Sequence, residues 1–177
     1  MPPQVELFID NCYPEFSSDI PTDEGNSVVP VSVQTWETWF HQWLEILTPE
    51  LPPALSYEIG LRLTDDADIQ ELNAQYRQQH KPTDVLAFAA LETDFPQTEE
   101  MLLSQPLYLG DIIVSIDTAQ QQAQQQQHSL TTELAWLTAH GLLHLLGWDH
   151  PDDDSLLRML RKQVTLLESI GIIIDVE

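Results

Sequence analysis

A chain of 177 residues that is 42% hydrophobic is long enough to bury a substantial core, and its five tryptophans exclude a disordered polyelectrolyte. Twenty-nine acidic residues against six basic ones give a formal charge of −23, the reverse of the basic footprint of a free-standing nucleic-acid binder. One cysteine, Cys12, cannot close an intrachain disulfide, no run approaches the length of a membrane span, and residues 1–30 lack a basic stretch followed by an apolar one; the expectation is a single cytoplasmic domain over 1–177 with no membrane partner.

In chain order, Val5 to Ile9 alternates apolar and polar residues as a first strand does. Residues 14–30, rich in Pro, Ser and acid, read as loop, and the span 11–31 is expected to be mobile. Trp36, Trp39, Phe40, Trp43, Leu44 and Leu47 recur at three- and four-residue steps, which predicts an amphipathic helix from Ser32 to Leu47. With no basic residue between its rings, this stripe reads as core rather than as a platform for stacking bases. Tyr57, Ile59, Leu61 and Leu63 then mark a second strand with one buried face.

Thr64 or Asp65 can cap the next helix, which turns Ile69, Leu72 and Tyr76 inward and runs to about Gln78. Arg77 falls in its last turn, where the helix dipole already favours a cation. Val85 to Ala90 is a continuous apolar run, expected to be a central strand covered on both faces. An acidic loop over 92–106 separates it from a strand over Leu107 to Ile116, after which Asp117 is placed to cap a glutamine-rich helix with a solvated face. Leu130, Leu134, Leu137 and Leu143 predict a core helix. A last helix, capped by Asp152 or Asp153, packs Leu156, Met159, Leu160, Leu167 and Ile170 and carries Arg158, Arg161 and Lys162.

The strand–helix–strand–helix–strand order predicts parallel pairing of the first three strands, with the fourth free to run antiparallel. The fold class expected is α+β: a mixed four-stranded sheet packed with about five helices, with a metal site at the end of a core helix.

That site is the stretch His140-Gly-Leu-Leu-His144-Leu-Leu-Gly147-Trp-Asp-His150, which holds three of the six histidines. Four residues apart on a helix, His140 and His144 share a face, and Gly147 can end the helix and return His150 toward them. Three imidazoles suit zinc and leave a fourth position open, the layout of a catalytic rather than a structural site. The spacing is also that of a long zinc-protease motif. There the first histidine is followed by a glutamate acting as general base, and here Gly141 stands in its place.

With these residues the sequence resembles the bacterial YbeY endoribonucleases. The likeness extends through Leu72-Asn73, Tyr76-Arg77, Lys81-Pro82-Thr83-Asp84-Val85-Leu86, Phe88 and Leu109-Gly110-Asp111-Ile112, with Ala87 and Ala89 standing where the family usually has serine and often has proline. The resemblance implies zinc held by His140, His144 and His150, catalysis by Arg77 and His140, and an α+β fold. It implies a single-strand-specific endoribonuclease that matures the 3′ end of 16S rRNA and takes part in ribosome quality control. RNA, the ribosome or its small subunit, and a protein partner are the expected partners, with no DNA. Asp84, Asp111 and Asp149 are candidates to accept the second ring N–H of a ligand histidine. A metal hydrolase of another substrate, peptides included, and a ribosome-associated binding protein with a structural metal remain as alternatives.

Overall fold

The computed structural model describes residues 3–13, 31–90 and 105–174; the expected loop over 14–30 and nearly all of the acidic loop over 92–106 lie outside them. Four strands, β1 (Val5–Asn11), β2 (Ser56–Thr64), β3 (Val85–Ala89) and β4 (Pro106–Ser115), form one sheet in the order β1-β2-β4-β3. Five α-helices accompany it: α1 (Val33–Ile46), α2 (Asp66–Arg77), α3 (Ile116–Gln126), α4 (Leu130–Leu145) and α5 (Asp153–Glu168). This is the mixed α+β sheet expected. The supposed mobile span over 11–31 falls mostly outside the described residues; of its ends, Asn11 closes β1 and Val31 is buried.

The strand order corrects two expectations. Val85–Ala89 is an edge strand, not a central one. Its apolar run reflects cover on its two faces: Val85 faces Gly141 of α4, and the Phe88 ring meets Tyr76 of α2 at 5.2 Å between centroids. Continuous apolarity reports covered faces and is silent about lateral neighbours. The antiparallel strand is β3 rather than β4, because β4 pairs parallel with β2 while β3 pairs antiparallel with β4. Consecutive strands that lie side by side in this way run in opposite directions.

The aromatic stripe is core. Trp36, Phe40 and Trp43 are buried, and the Trp43 indole N–H donates to the Leu166 carbonyl at 2.9 Å, tying α1 to α5. α4 lies beneath this layer, with Leu134, Leu137, Leu142 and Leu143 buried against the sheet. Caps fall on Ser32, Asp65 and Asp152, whose side chains accept backbone N–H groups of the first turn. For α3 the cap is Ser115, not Asp117. Asp117 sits inside the first turn, where its two oxygens accept from the Tyr13 hydroxyl (2.8 Å) and the Asp66 amide (3.0 Å) and so join chain segments far apart in sequence.

Candidate metal centre

α4 delivers two of the three histidines because its interior is apolar and its last turns reach past the edge strand. Gly141, between them, packs closely on the sheet. A Cβ there would lie 2.8 Å from the Ile112 side chain and 3.4 Å from Val85. The glutamate that the protease motif carries at this position therefore has no room, so the site lacks that motif's general base.

The helix ends at Leu145, and Gly147 takes φ +96°, a left-handed conformation that turns the chain back. The turn is pinned by Trp148, whose amide donates to the Leu143 carbonyl at 3.0 Å and whose indole N–H donates to Glu50 at 2.7 Å. His150 is thereby brought beside the other two rings: its centroid is 5.7 Å from His140 and 5.5 Å from His144, which are 4.5 Å apart. One ring nitrogen from each of His140, His144 and His150 lies within 4.8 Å of the others.

The hydrogen bonds behind the rings decide which nitrogens these are. His140 Nδ1 lies 3.0 Å from Gln163 Oε1, and the orientation of that amide is fixed because its nitrogen donates to the Trp136 carbonyl at 3.3 Å. His144 Nδ1 lies 2.9 Å from the Trp148 carbonyl. Both partners can only accept, so both imidazoles carry their proton on Nδ1 and present a lone pair at Nε2. The two Nε2 atoms face each other at 2.9 Å, where neither neutral ring can donate to the other. A cation relieves this; nitrogens bonded to one tetrahedral ion at about 2.0–2.1 Å stand about 3.3 Å apart, a small adjustment from the observed spacing. A proton serves poorly: burial, and then the neighbouring His140, push the His144 ring down to about 4, and burial lowers His140 as well. The donor set fits a metal ion.

The histidines open onto a cavity of about 730 Å³ that is also lined by Arg77, Asp84 and Phe88. Arg77 ends α2 exposed and without an ion-pair partner among the described residues. It is the Lys or Arg found among the lining residues. The three cations of the last helix do not line the cavity: Arg158 and Arg161 are exposed on α5, and Lys162 pairs with Glu50 at 3.6 Å.

The three aspartates do not do what the sequence suggested. Asp84 lines the cavity, but its oxygens accept from the Val85 amide (2.7 Å) and from Gln122 (3.2 Å). Asp149 accepts from the His150 amide at 2.8 Å. Asp111 points to the other face of the sheet, over Gly60, because residues alternate along a strand and its neighbour Ile112 faces α4. Their place is taken by Gln163 and a main-chain carbonyl. Gln163 was visible in principle as a polar residue on the buried stripe of Met159, Leu166 and Leu167; a carbonyl leaves no mark in sequence.

The family model described as Endoribonuclease YbeY matches residues 22–171. Relatives of that name include proteins from Trichormus variabilis, 66% identical over 173 residues and 98% of each chain, and from Nostoc sp., 66% identical over 98% of this chain and 94% of that one. A relative from Synechocystis sp., also so named, is 58% identical over 83% of this chain and 82% of its own. The solution structure of TM1509 from Thermotoga maritima shares the fold with a TM-score of 0.51 and 26% identity, over 92% of this chain and 89% of that one. A family model spanning most of the chain, and relatives identical to it at two positions in three, agree with the histidine motif: the chain belongs to the YbeY family of endoribonucleases.

Proposed function

We propose that this chain is a zinc-dependent endoribonuclease of single-stranded RNA, with zinc held by His140, His144 and His150. The observation that carries the reading is the convergence of the three ring nitrogens on one point at the wall of the cavity that Arg77 also lines. Family membership supports RNA as the substrate, and the 3′ end of 16S rRNA, within ribosome maturation and quality control, is the substrate inferred.

Zinc held by His140, His144 and His150 would supply a Lewis acid. The chain supplies the rest. Gln163 and the Trp148 carbonyl hold His140 and His144 in the tautomer that keeps Nε2 unprotonated. Arg77 has no ion-pair partner among the described residues, and its guanidinium is able to donate paired hydrogen bonds to the non-bridging oxygens of a phosphodiester, where negative charge develops as the bond is cut. The surrounding acid weakens capture of RNA from solution, so a docked ribosome or protein partner is inferred to raise the local substrate concentration. On this reading His140, as a ligand of the zinc, and Arg77 are the residues that take part in catalysis.

The test joins metal content to cleavage. Elemental analysis after gel filtration should give one zinc per chain for wild type and none for His144→Ala, and in cells lacking the protein unprocessed 16S 3′ ends should accumulate and be restored only by wild type. Equal zinc in the two proteins, or full rescue by the variant, would refute the assignment.

A further inference from the structure

A second cavity, of about 560 Å³, adjoins the first, and Asp84 lines both. One wall is the glutamine tract: Gln122, Gln125 and Gln126 stand at i, i+3 and i+4 on α3, so they share a face. The opposite wall comes from α4, with Glu133 two turns and Trp136 one turn before His140. The cavity therefore runs along the same helix that carries two of the histidines.

Glu133 is 3% exposed, a burial that carboxylates tolerate only with partners. Its Oε2 meets His128 Nε2 at 2.5 Å, while its Oε1 has no hydrogen-bond partner among the described residues. Oε1 is thus left as an acceptor on the wall of the cavity that Glu133 lines, able to take an N–H donor from a ligand. Gln122 donates to Asp84 at 3.2 Å, and its amide oxygen is a further acceptor. Metal ligation is not the answer here, since the described residues bring three His, Cys, Asp or Glu ligands together only at the histidine triad. Phosphate is disfavoured by the two carboxylates. Beside the site of an endoribonuclease, acceptors from Glu133 and Gln122 together with the Trp136 ring fit a planar group with an amino group on its edge and a face for an aromatic neighbour, which describes an amino-bearing nucleobase.

We propose that this cavity is a nucleobase subsite, taking an amino-bearing base (adenine, cytosine or guanine) from a nucleotide next to the one whose phosphate lies at the histidines. Glu133 accepts the exocyclic N–H, and Trp136 packs on the ring. The location rests on the endoribonuclease reading; the chemistry of the pocket does not.

The test uses free nucleosides, titrated into the zinc-loaded full chain while the Trp136 indole N–H is followed by NMR. Adenosine, cytidine and guanosine should shift it, and uridine should bind about ten-fold more weakly, the worth of one well-placed hydrogen bond. Glu133→Gln offers a donor as well as an acceptor and should narrow that gap to about two-fold. Gln122→Ala, at a partly exposed helix position, should weaken all three amino-bearing nucleosides several-fold and is the second variant should the buried one misfold. Four nucleosides that bind alike, discrimination that survives both substitutions, or an indole that answers to Mg²⁺ and to no nucleoside would overturn the subsite. The same proteins should also be given a randomised single-stranded RNA pool and the cut ends sequenced. Cleavage without base preference sinks the subsite and leaves the nuclease, whereas nucleoside discrimination without cleavage does the reverse.

Discussion

Replacing Gln163 by leucine tests whether the support behind the rings governs metal binding. Gln163 is fully buried and holds two groups at once, the His140 Nδ1–H and the Trp136 carbonyl. Leucine fills a similar volume and satisfies neither. A buried polar group left without its partner costs about 1–3 kcal/mol, and in a chain of this size that lowers the melting temperature by roughly 2–12 °C. The more specific consequence lies at the other end of the ring. Without an acceptor at Nδ1, His140 is free to carry its proton on Nε2, from which it can donate to His144 Nε2, already 2.9 Å away. That hydrogen bond stabilises the tautomer that cannot bind metal. Loss of such outer partners typically weakens metal affinity by about 10–100-fold, so competition with a chelating indicator should show a drop in this range for Gln163→Leu. Gln163→Glu, which can still accept from Nδ1, should recover most of the affinity. If Gln163→Leu melts lower yet binds zinc within two-fold of wild type, Gln163 is a packing residue and the tautomer argument fails.

Arg77→Ala should keep zinc content and melting temperature while lowering cleavage by orders of magnitude; a variant that melts several degrees lower and still cuts would mean that Arg77 serves only the end of α2. In the metal-free chain, His144 is held well below its unfolded value of about 6.5, so the unfolded state takes up the proton first, and the stability present above pH 6.5 is lost as pH falls toward about 4. Thermal melts across that window should therefore fall more steeply for wild type than for His144→Gln, and parallel curves would show that His144 is not desolvated. Binding of naked single-stranded RNA should be weak, with log affinity falling against log salt at a slope of roughly −1 to −2; a slope steeper than about −4 would reveal a basic groove and remove the need for a docked partner.

The parts that sequence disclosed were those where one physical cause dominates. Helical spacing of Trp36, Trp39, Phe40 and Trp43 can mean little but a buried stripe, and the interval from His140 through Gly147 to His150 is a local geometry that the chain writes in order. What could not be read depended on partners distant in the chain. Val85–Ala89 is apolar because of α2 and α4, and nothing within it says that it lies at the end of the strand order among the described residues. Asp117 looks like a helix cap on its own; it is Tyr13 and Asp66 that give it other work. The acceptor behind His140 comes from α5, 23 residues on, where nearby aspartates offered a plausible and wrong answer.

The charge distribution ties these details to how such a site can be used. Of six Lys and Arg residues, Arg62 pairs with Asp68 and Lys162 with Glu50, Lys81 is exposed in the loop before β3, and Arg158 and Arg161 are exposed on α5; none of these five lines the cavity. Arg77 is left to face the histidines within a surface of strong negative charge. Over distances beyond a Debye length the protein presents RNA with repulsion, and within the cavity Arg77, with a metal on the histidines where one is bound, would reverse the sign. Attraction so short in range cannot steer a polyanion from solution, but it acts in full on a phosphodiester already delivered to it. If the chain works docked, as proposed above, its selectivity would come from where it is docked: RNA that diffuses past is repelled by the surface charge, and RNA held against the cavity reaches the guanidinium and the histidines.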